Sequence, residues 1–314
     1  MEAKKRLFTG LQPSGQLHIG NYFGALKPFA DIYDKHESFL MVADYHALTS
    51  LKDPVRLREG IIDVVKNYVA AGVDPQKAVI FKQSDIQEHT ELAWIFECLV
   101  TVPFLMQAHA YKDKVVKGLE ANAGLFNYPM LMAADILLYD TDVVPVGEDQ
   151  RQHVEYAREA AAKFNLGFGQ TFKEPQEKIL TGIGTVPGID GKKMSKSYGN
   201  TIPLFGSKDE ISKAVMNIVT DSSGERPAIV YAIHKLFRTD VELEPLYDTN
   251  KGNYKALKEA LVEDIEKFIA PMRERRTNIS DEEVKNILQD GADKARAVAS
   301  SKMREVRQKV GVAL

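Results

Sequence analysis

Two short stretches carry side chains suited to handling phosphate. Lys193-Met194-Ser195-Lys196-Ser197 sets two ammonium groups around small hydroxyl residues, with glycines at 191 and 199 on either side. Cations in such a loop can neutralise charge that builds up on a phosphoryl group, and flanking glycines suit a lid that closes. Upstream, Gly15-Gln16-Leu17-His18-Ile19-Gly20-Asn21 places a histidine and an asparagine among glycines. Glycine lets backbone approach a ligand closely, and polar tips at a helix start can donate to phosphate oxygens. Taken singly, each stretch has a plainer reading: a solvated basic loop, and a capped helix start with a satisfied histidine. The string Lys-Met-Ser-Lys-Ser is too specific for a generic charge run, and its pairing with the upstream box outweighs both plainer readings.

A third feature is a carboxylate in apolar surroundings. Tyr128-Pro129-Met130-Leu131-Met132-Ala133-Ala134-Asp135-Ile136-Leu137-Leu138-Tyr139 contains one acidic residue. On a helix, Met132 and Asp135 share a face. Burying Asp135 there is costly unless something donates to it. A ligand N–H or O–H is one such donor; a backbone N–H or a neighbouring side chain is another, and the residues alone weigh the two equally.

These groups need a scaffold, and the first 165 residues supply an alternating one. Leu7–Leu11, Phe39–Ala43, Ala78–Phe81 and Thr141–Val146 read as strands, the last with Pro145 at a strand end or an edge. Helical patterns lie between them. Asp53 and Pro54 open one that runs to Ala71 before Gly72, and the stretches 87–100 and 150–164 behave alike. Strand–helix alternation predicts a parallel sheet with helices on both faces. A helix over 21–34 should kink at Pro28. After the lysine loop the β signal fades, and the stretches 208–220, 227–237, 251–274 and 281–309 read as helices, the last opened by Ser280 and Glu283 as a capping box. The expected fold class is α/β: a Rossmann-like parallel-sheet nucleotide-binding domain with a smaller C-terminal helical domain.

Composition sets outer bounds. The 314 residues carry a net charge of -3, with 44% hydrophobic and 27% charged residues, which fits an ordinary globular chain. Basic and acidic side chains balance after residue 200, so nucleic-acid contacts would come from local basic faces rather than bulk charge. The lone Cys98 excludes an intramolecular disulfide and a multi-cysteine metal or iron–sulfur site. Its setting reads as that of a small buried hydrophobe, and Trp94, the only tryptophan, as a packing residue. No apolar run reaches membrane-spanning length, and the basic N-terminus has no apolar segment behind it, so the expected location is cytoplasmic with no membrane partner.

The two phosphate motifs, in this order, resemble those of the class I aminoacyl-tRNA synthetases, and the residues between them resemble the tryptophanyl-tRNA synthetases of bacterial type. The likeness spans nearly the whole chain and is strongest from Gly10 to Asn200. It implies ATP-dependent activation of L-tryptophan to tryptophanyl-adenylate and pyrophosphate, with Mg2+, then transfer to the 3′-terminal ribose of tRNA(Trp) by a homodimer. It also implies a catalytic domain over 1–195 that includes the dimer interface, a helical anticodon-recognition domain over 196–290, and a C-terminal helix over 291–314 that packs back toward the catalytic domain.

Site roles follow from the same resemblance. His18, Asn21, Lys114, Lys193 and Lys196 would be catalytic, with Lys112 competing for the place of Lys114. Asn21 stands where the wider class has a second histidine. ATP would be held by Gly10, Gln12, Ser14, His18, Gly20, Asn21, Gly147, Asp149, Lys193, Met194, Ser195 and Lys196. Tryptophan would be held by Phe8, Gly10, His46, Tyr128, Met132, Asp135, Val144, Val146 and Gln150, with Asp135 accepting from the indole. No protein-held metal site is expected. A tyrosyl-type synthetase is the nearest rival, against which Met132 and the Val144/Val146 pair speak; a non-catalytic RNA-binding paralogue is a second.

Overall fold

Five strands pair in parallel in the order β3-β2-β1-β4-β5. They are β1 (Arg6–Leu11), β2 (Glu37–Val42), β3 (Ala78–Lys82), β4 (Val143–Val146) and β5 (Gln176–Ile179). The order reverses beside β1, the arrangement of a Rossmann-like sheet, whose ligands bind outside the carboxyl ends of the strands. The computed structural model describes residues 4–13, 15–116, 121–146, 151–179, 186–220 and 226–314.

The chain forms two compact units. The first comprises Met1–Gly15, Ala30–Ile179 and Ser280–Leu314; the second comprises Gln16–Phe29 and Leu180–Ile279. The first unit holds the whole sheet. After Glu37, every residue of β2 is buried, as expected of a parallel strand covered on both faces. Pro145 pairs in register with Lys178 of β5, whereas β4 meets β1 only at Leu7 and Val143. The proline, which has no N–H to give, therefore lies beyond the β1 pairing, near the end of an interior strand. Strand β5 was not foreseen: Gln176-Glu177-Lys178-Ile179 has neither β-branched enrichment nor alternation, and as an edge strand it tolerates charge.

Helices frame the sheet much as their end signals require. Asp53 Oδ1 accepts the Val55 and Arg56 N–H groups at 2.9 and 3.2 Å, opening the Pro54–Ala70 helix. Asn122 Oδ1 accepts from Leu125 N at 2.8 Å, opening Ala123–Leu137. The Asp281–Val310 helix, capped by Ser280 through Glu283 N but without the return bond from the Glu283 side chain that the expected capping box requires, lies against β3. There Gly291 is required, because a Cβ built on it would fall 1.8 Å from the Ile80 carbonyl oxygen.

Two packing expectations are corrected. Cys98 is exposed, and Trp94 is 67% exposed. The Glu88–Glu97 helix turns Leu92, Ala93 and Phe96 inward, so the apolar composition of the stretch hid an outward-facing side.

In the second unit, Lys27 N–H reaches back to Tyr22 O, closing a π-helical turn over Tyr22–Leu26 immediately before Pro28. The break expected from Pro28 thus takes the form of a widened turn. Tyr22, Phe23, Phe237 and Phe268 pack ring against ring. The Lys208–Met216 and Ala228–His234 helices pack on Tyr254–Asn278. A further helix, Asp240–Thr249, carries Pro245 in its interior and so escaped the sequence pattern.

Candidate active site

Within the second unit, the two phosphate motifs are joined by backbone. Ile19 N donates to Ile202 O at 3.0 Å, and Leu204 N donates to Leu17 O at 2.9 Å. His18 thereby faces Pro203 in an antiparallel bridge. This fixes the start of the His-Ile-Gly-Asn box against the segment that leaves the lysine loop. Side chains complete the approach: a Cβ on Gly20 would lie 2.9 Å from His18 Nδ1 and 3.3 Å from Met194 Cβ.

The hydrogen bonds of His18 assign its tautomer. Nδ1 accepts from Asn21 N at 3.2 Å, while His18 N donates to Asn21 Oδ1 at 3.1 Å. Burial, and then the nearby Lys196 ammonium, push the imidazole down to about 4. The ring is therefore neutral at neutral pH, with its proton on Nε2 as a ready donor. Asn21 spends its carbonyl oxygen on the cap, which leaves its NH2 end to offer a ligand.

The lysine loop is a hairpin with an internal clamp. Met194 N donates to Val186 O at 2.9 Å and Gly188 N to Lys192 O at 2.7 Å; the turn between them uses Gly191 at φ 80°. Asn200 is buried inside. Its Nδ2 donates to Asp190 Oδ1 at 2.7 Å and to Lys193 O at 3.2 Å, and its Oδ1 accepts from Ser195 N at 2.8 Å. Ser195 Oγ in turn caps a single turn over Lys196–Tyr198. Lys193 and Lys196 stay largely in solvent, although partial burial of the Lys196 ammonium lowers its affinity for a proton. Lys114 lies on the His109–Val116 helix, its side chain outside the described residues. Ser14, Gly147, Asp149 and Gln150 also lie outside them.

Within the first unit, the carboxyl ends of the strands gather the other candidates. Gly10, next to last in β1, is exposed, as is Gln12 just beyond the strand. His46 follows β2 and Gln83 follows β3. Asp135 is 1% exposed and anchors the group: its Oδ2 accepts from His46 Nε2 at 2.9 Å, and Gln83 Nε2 donates to both its oxygens at 2.9 and 3.0 Å. His89 Nδ1 stands 2.6 Å from Oδ1, but its N–H points off the line to that oxygen, so the contact is chiefly electrostatic. Burial acts to raise the Asp135 carboxyl, and His89 and His46 overcome it, leaving it at about 2. Asp135 is an anion at any working pH.

Around it, Tyr128 OH meets His153 Nε2 at 3.1 Å and its ring stands edge-on to His46 at 6.3 Å. Met132 is partly buried on the same helix. Phe8, Val144 and Val146 are buried in the first unit's core, Phe8 stacked on Tyr139 at 5.6 Å. Sequence reasoning missed Gln83, His89, Tyr139 and Asn200. Gln83 had a signal, since it is the first residue after a strand's carboxyl end. His89 had none, being one polar residue in an amphipathic helix.

The chain matches the family of class I tRNA synthetases (W and Y) over residues 1–297. It is 44% identical to the tryptophan–tRNA ligase of Fusobacterium nucleatum over 319 aligned residues, covering 98% of each chain. It belongs to the tryptophan–tRNA ligase family. A solved tryptophanyl-tRNA synthetase from Campylobacter jejuni, complexed with ADP and tryptophan, is 42% identical, covers 98% of this chain and 99% of its own, and superposes with a TM-score of 0.92. A structure from Mycoplasma pneumoniae gives 31% identity and a TM-score of 0.85, with 98% of each chain covered. The Rossmann-like architecture and the synthetase chemistry expected from the two motifs are both borne out.

Proposed function

We propose that this chain activates L-tryptophan with ATP and charges the 3′-terminal ribose of tRNA(Trp). The observation that carries the reading is the backbone pairing of the His18 box with the segment following Lys193–Ser197, which brings both phosphate motifs to one place. The Campylobacter relative with ADP and tryptophan bound supports the choice of substrates.

In the first step the tryptophan carboxylate attacks the α-phosphorus of ATP. A new P–O bond forms, the bond to the β-phosphate breaks, and its electrons leave with pyrophosphate. A carboxylate is already ionised at neutral pH, so no general base is required. The work is positioning and charge stabilisation. His18 supplies Nε2–H, Asn21 its amide NH2, and Lys193 and Lys196 neutralise the departing pyrophosphate, with Lys114 or Lys112 as a further cation. Mg2+ enters as part of the substrate MgATP, on phosphate oxygens of the kind it prefers. In the second step the terminal 2′-hydroxyl attacks the adenylate's carbonyl and AMP leaves.

Asp135 accepts from the indole N–H in this reading, with Met132, Val144, Val146, Phe8 and His46 shaping the slot, and Tyr128 and Gln150 orienting the α-amino group. Gly10, Gln12, Ser14, Gly20, Gly147, Asp149, Met194 and Ser195 hold ATP. Residues 196–290 recognise the anticodon; there Arg273 pairs with Glu266 at 2.6 and 2.9 Å. In the homodimer of this reading, the exposed Trp94, Val102 and Met106 are candidates for burial between subunits. No helix among the described residues is long and apolar enough to cross a membrane; we assign the reaction to the cytoplasm.

The deciding test is ATP–pyrophosphate exchange with each of the twenty amino acids, with Mg2+ and without tRNA. Exchange with tryptophan alone is expected. Exchange with tyrosine alone would move the chain's specificity to the tyrosyl type, and no exchange in folded, ATP-binding protein would favour the non-catalytic paralogue.

A further inference from the structure

Behind Asp135 lies a second layer of polar side chains that the reaction does not touch. His89 is fully buried, and besides facing Asp135 through Nδ1 it meets the Tyr139 hydroxyl through Nε2 at 2.9 Å. Tyr139 is equally buried, stacked against both Phe8 and Phe39 at 5.6 and 4.8 Å, while Phe81 stacks on His89 at 6.1 Å. Both rings are buried against aromatic neighbours.

The direction of the proton chain follows from chemistry. A carboxylate only accepts, so Nδ1 of His89 carries hydrogen. With that hydrogen toward Asp135, the Tyr139 hydroxyl is placed to donate to Nε2. Burial, followed by Asp135 and Glu88, raises the Tyr139 hydroxyl well above its ordinary range, so it keeps that proton. Gln83 completes the frame: its Oε1 accepts from Tyr45 N at 3.2 Å while its Nε2 serves Asp135. A fold that needed only a filled core could place apolar residues here without the cost of burying polar ones.

We propose that His89, anchored by Tyr139, is a specificity-positioning residue: its ring, 2.6 Å from Asp135 Oδ1, holds that carboxylate in place for the indole N–H. This rests on the reading that Asp135 receives the indole. Truncating the relay removes the contact on Oδ1 and leaves the carboxylate to Gln83 and His46 alone. The loss then falls on tryptophan recognition rather than on ATP or the phosphoryl step.

The test measures kcat and KM for tryptophan and phenylalanine, and KM for ATP, by pyrophosphate exchange in the full-length enzyme. Tyr139→Phe keeps the ring and removes only the anchoring hydroxyl; it should raise KM for tryptophan about tenfold and narrow the tryptophan-over-phenylalanine ratio by a similar factor, as loss of one buried partner does. His89→Phe should do more, and His89→Asn, which returns an N–H near the Nδ1 position, should recover part of the loss. KM for ATP should stay within about twofold throughout, since no ATP-contacting group moves. Asp135→Asn is the control. If it collapses the ratio while folded Tyr139→Phe and His89→Phe leave it unchanged, the relay is structural only and the proposal is overturned with the indole reading intact. Should His89→Phe fail to fold, Tyr139→Phe decides alone. If Asp135→Asn itself leaves the ratio unchanged, the indole reading and the proposal fall together.

Discussion

Gly20 faces Met194 so closely that a Cβ on the glycine would stand 3.3 Å from the methionine's Cβ and 2.9 Å from His18 Nδ1. The glycine therefore keeps the imidazole seated on its Asn21 cap while the lysine loop passes beside it. Gly20→Ala should push His18 off that seat and slow adenylate formation by about 10- to 100-fold, the range for a displaced stabilising donor. Calorimetric affinity for tryptophan should be unaltered; a variant with wild-type exchange rate would show that the contact has slack.

Asn200 is the pin of the lysine loop. Asn200→Ala removes its bonds to Asp190, Lys193 and Ser195 together, at a cost of about 2–3 kcal/mol for a buried polar frame left unpaired. Chemical denaturation should register the loss, and exchange should fall because both lysines lose their support. An exchange rate that survives a measured loss of stability would separate the clamp from the chemistry.

Lys193→Ala and Lys196→Ala should each lower the rate of pyrophosphate exchange by about 10²- to 10³-fold, as removal of a transition-state charge does. Tryptophan affinity should barely change. Equal losses in rate and tryptophan affinity would contradict the assignment of these lysines to the leaving pyrophosphate.

His18 gives a pH prediction with a definite sign. Its folded-state value near 4 lies below the ordinary 6.5, so the unfolded chain takes up a proton that the folded chain refuses. The resulting stability is present in full above pH 6.5 and is lost as pH falls toward 4. In the free protein, the His18 ring resonances, assigned by difference from His18→Gln, should titrate near 4; a midpoint near 6.5 would overturn the neutral Nε2–H donor.

How far the sequence spoke depended on whether a signal was local. The Asp53 and Ser280 caps, the four apolar strands and the two motifs are written in neighbouring residues, and each appears where neighbours predict it. The β5 strand is not, since its pairing with β4 is a tertiary fact imposed on Gln176-Glu177-Lys178-Ile179. Asp135 stands between these cases. Its burial was legible from its apolar run, but its partners arrive from the ends of two strands and a separate helix, so the alternatives of ligand and neighbour stayed open until Gln83, His46 and His89 were seen around it. Trp94 and Cys98 misled because hydrophobic composition says nothing about which side of a helix is covered.

Among the described glycines of the first unit, Gly291 has the least room for a methyl group. In Gly291→Ala the added carbon would meet the Ile80 carbonyl oxygen at 1.8 Å, and a 30-residue helix would have to lift off β3 to make room. Overpacking against backbone of this kind should cost about 3 kcal/mol or more, read from urea denaturation. A loss under about 1 kcal/mol would mean that the helix shifts freely.

That helix is also remote in sequence from the strand it covers. Arg296 donates to the Asp85 carbonyl across 211 residues, and Arg307 pairs with Glu91 across 216. In sequence, the larger segment of the second unit, Leu180–Ile279, falls between these partners. Closing a loop of that size costs entropy before any contact offsets it, and topologies ruled by such contacts fold slowly. During translation, β3 and Phe81 leave the ribosome long before Ala292, Ala295 and Ala299 arrive to share a core with Phe81. The interval between those two events is when the nascent chain is most open to aggregation, and it is there that chaperones would have the most to do.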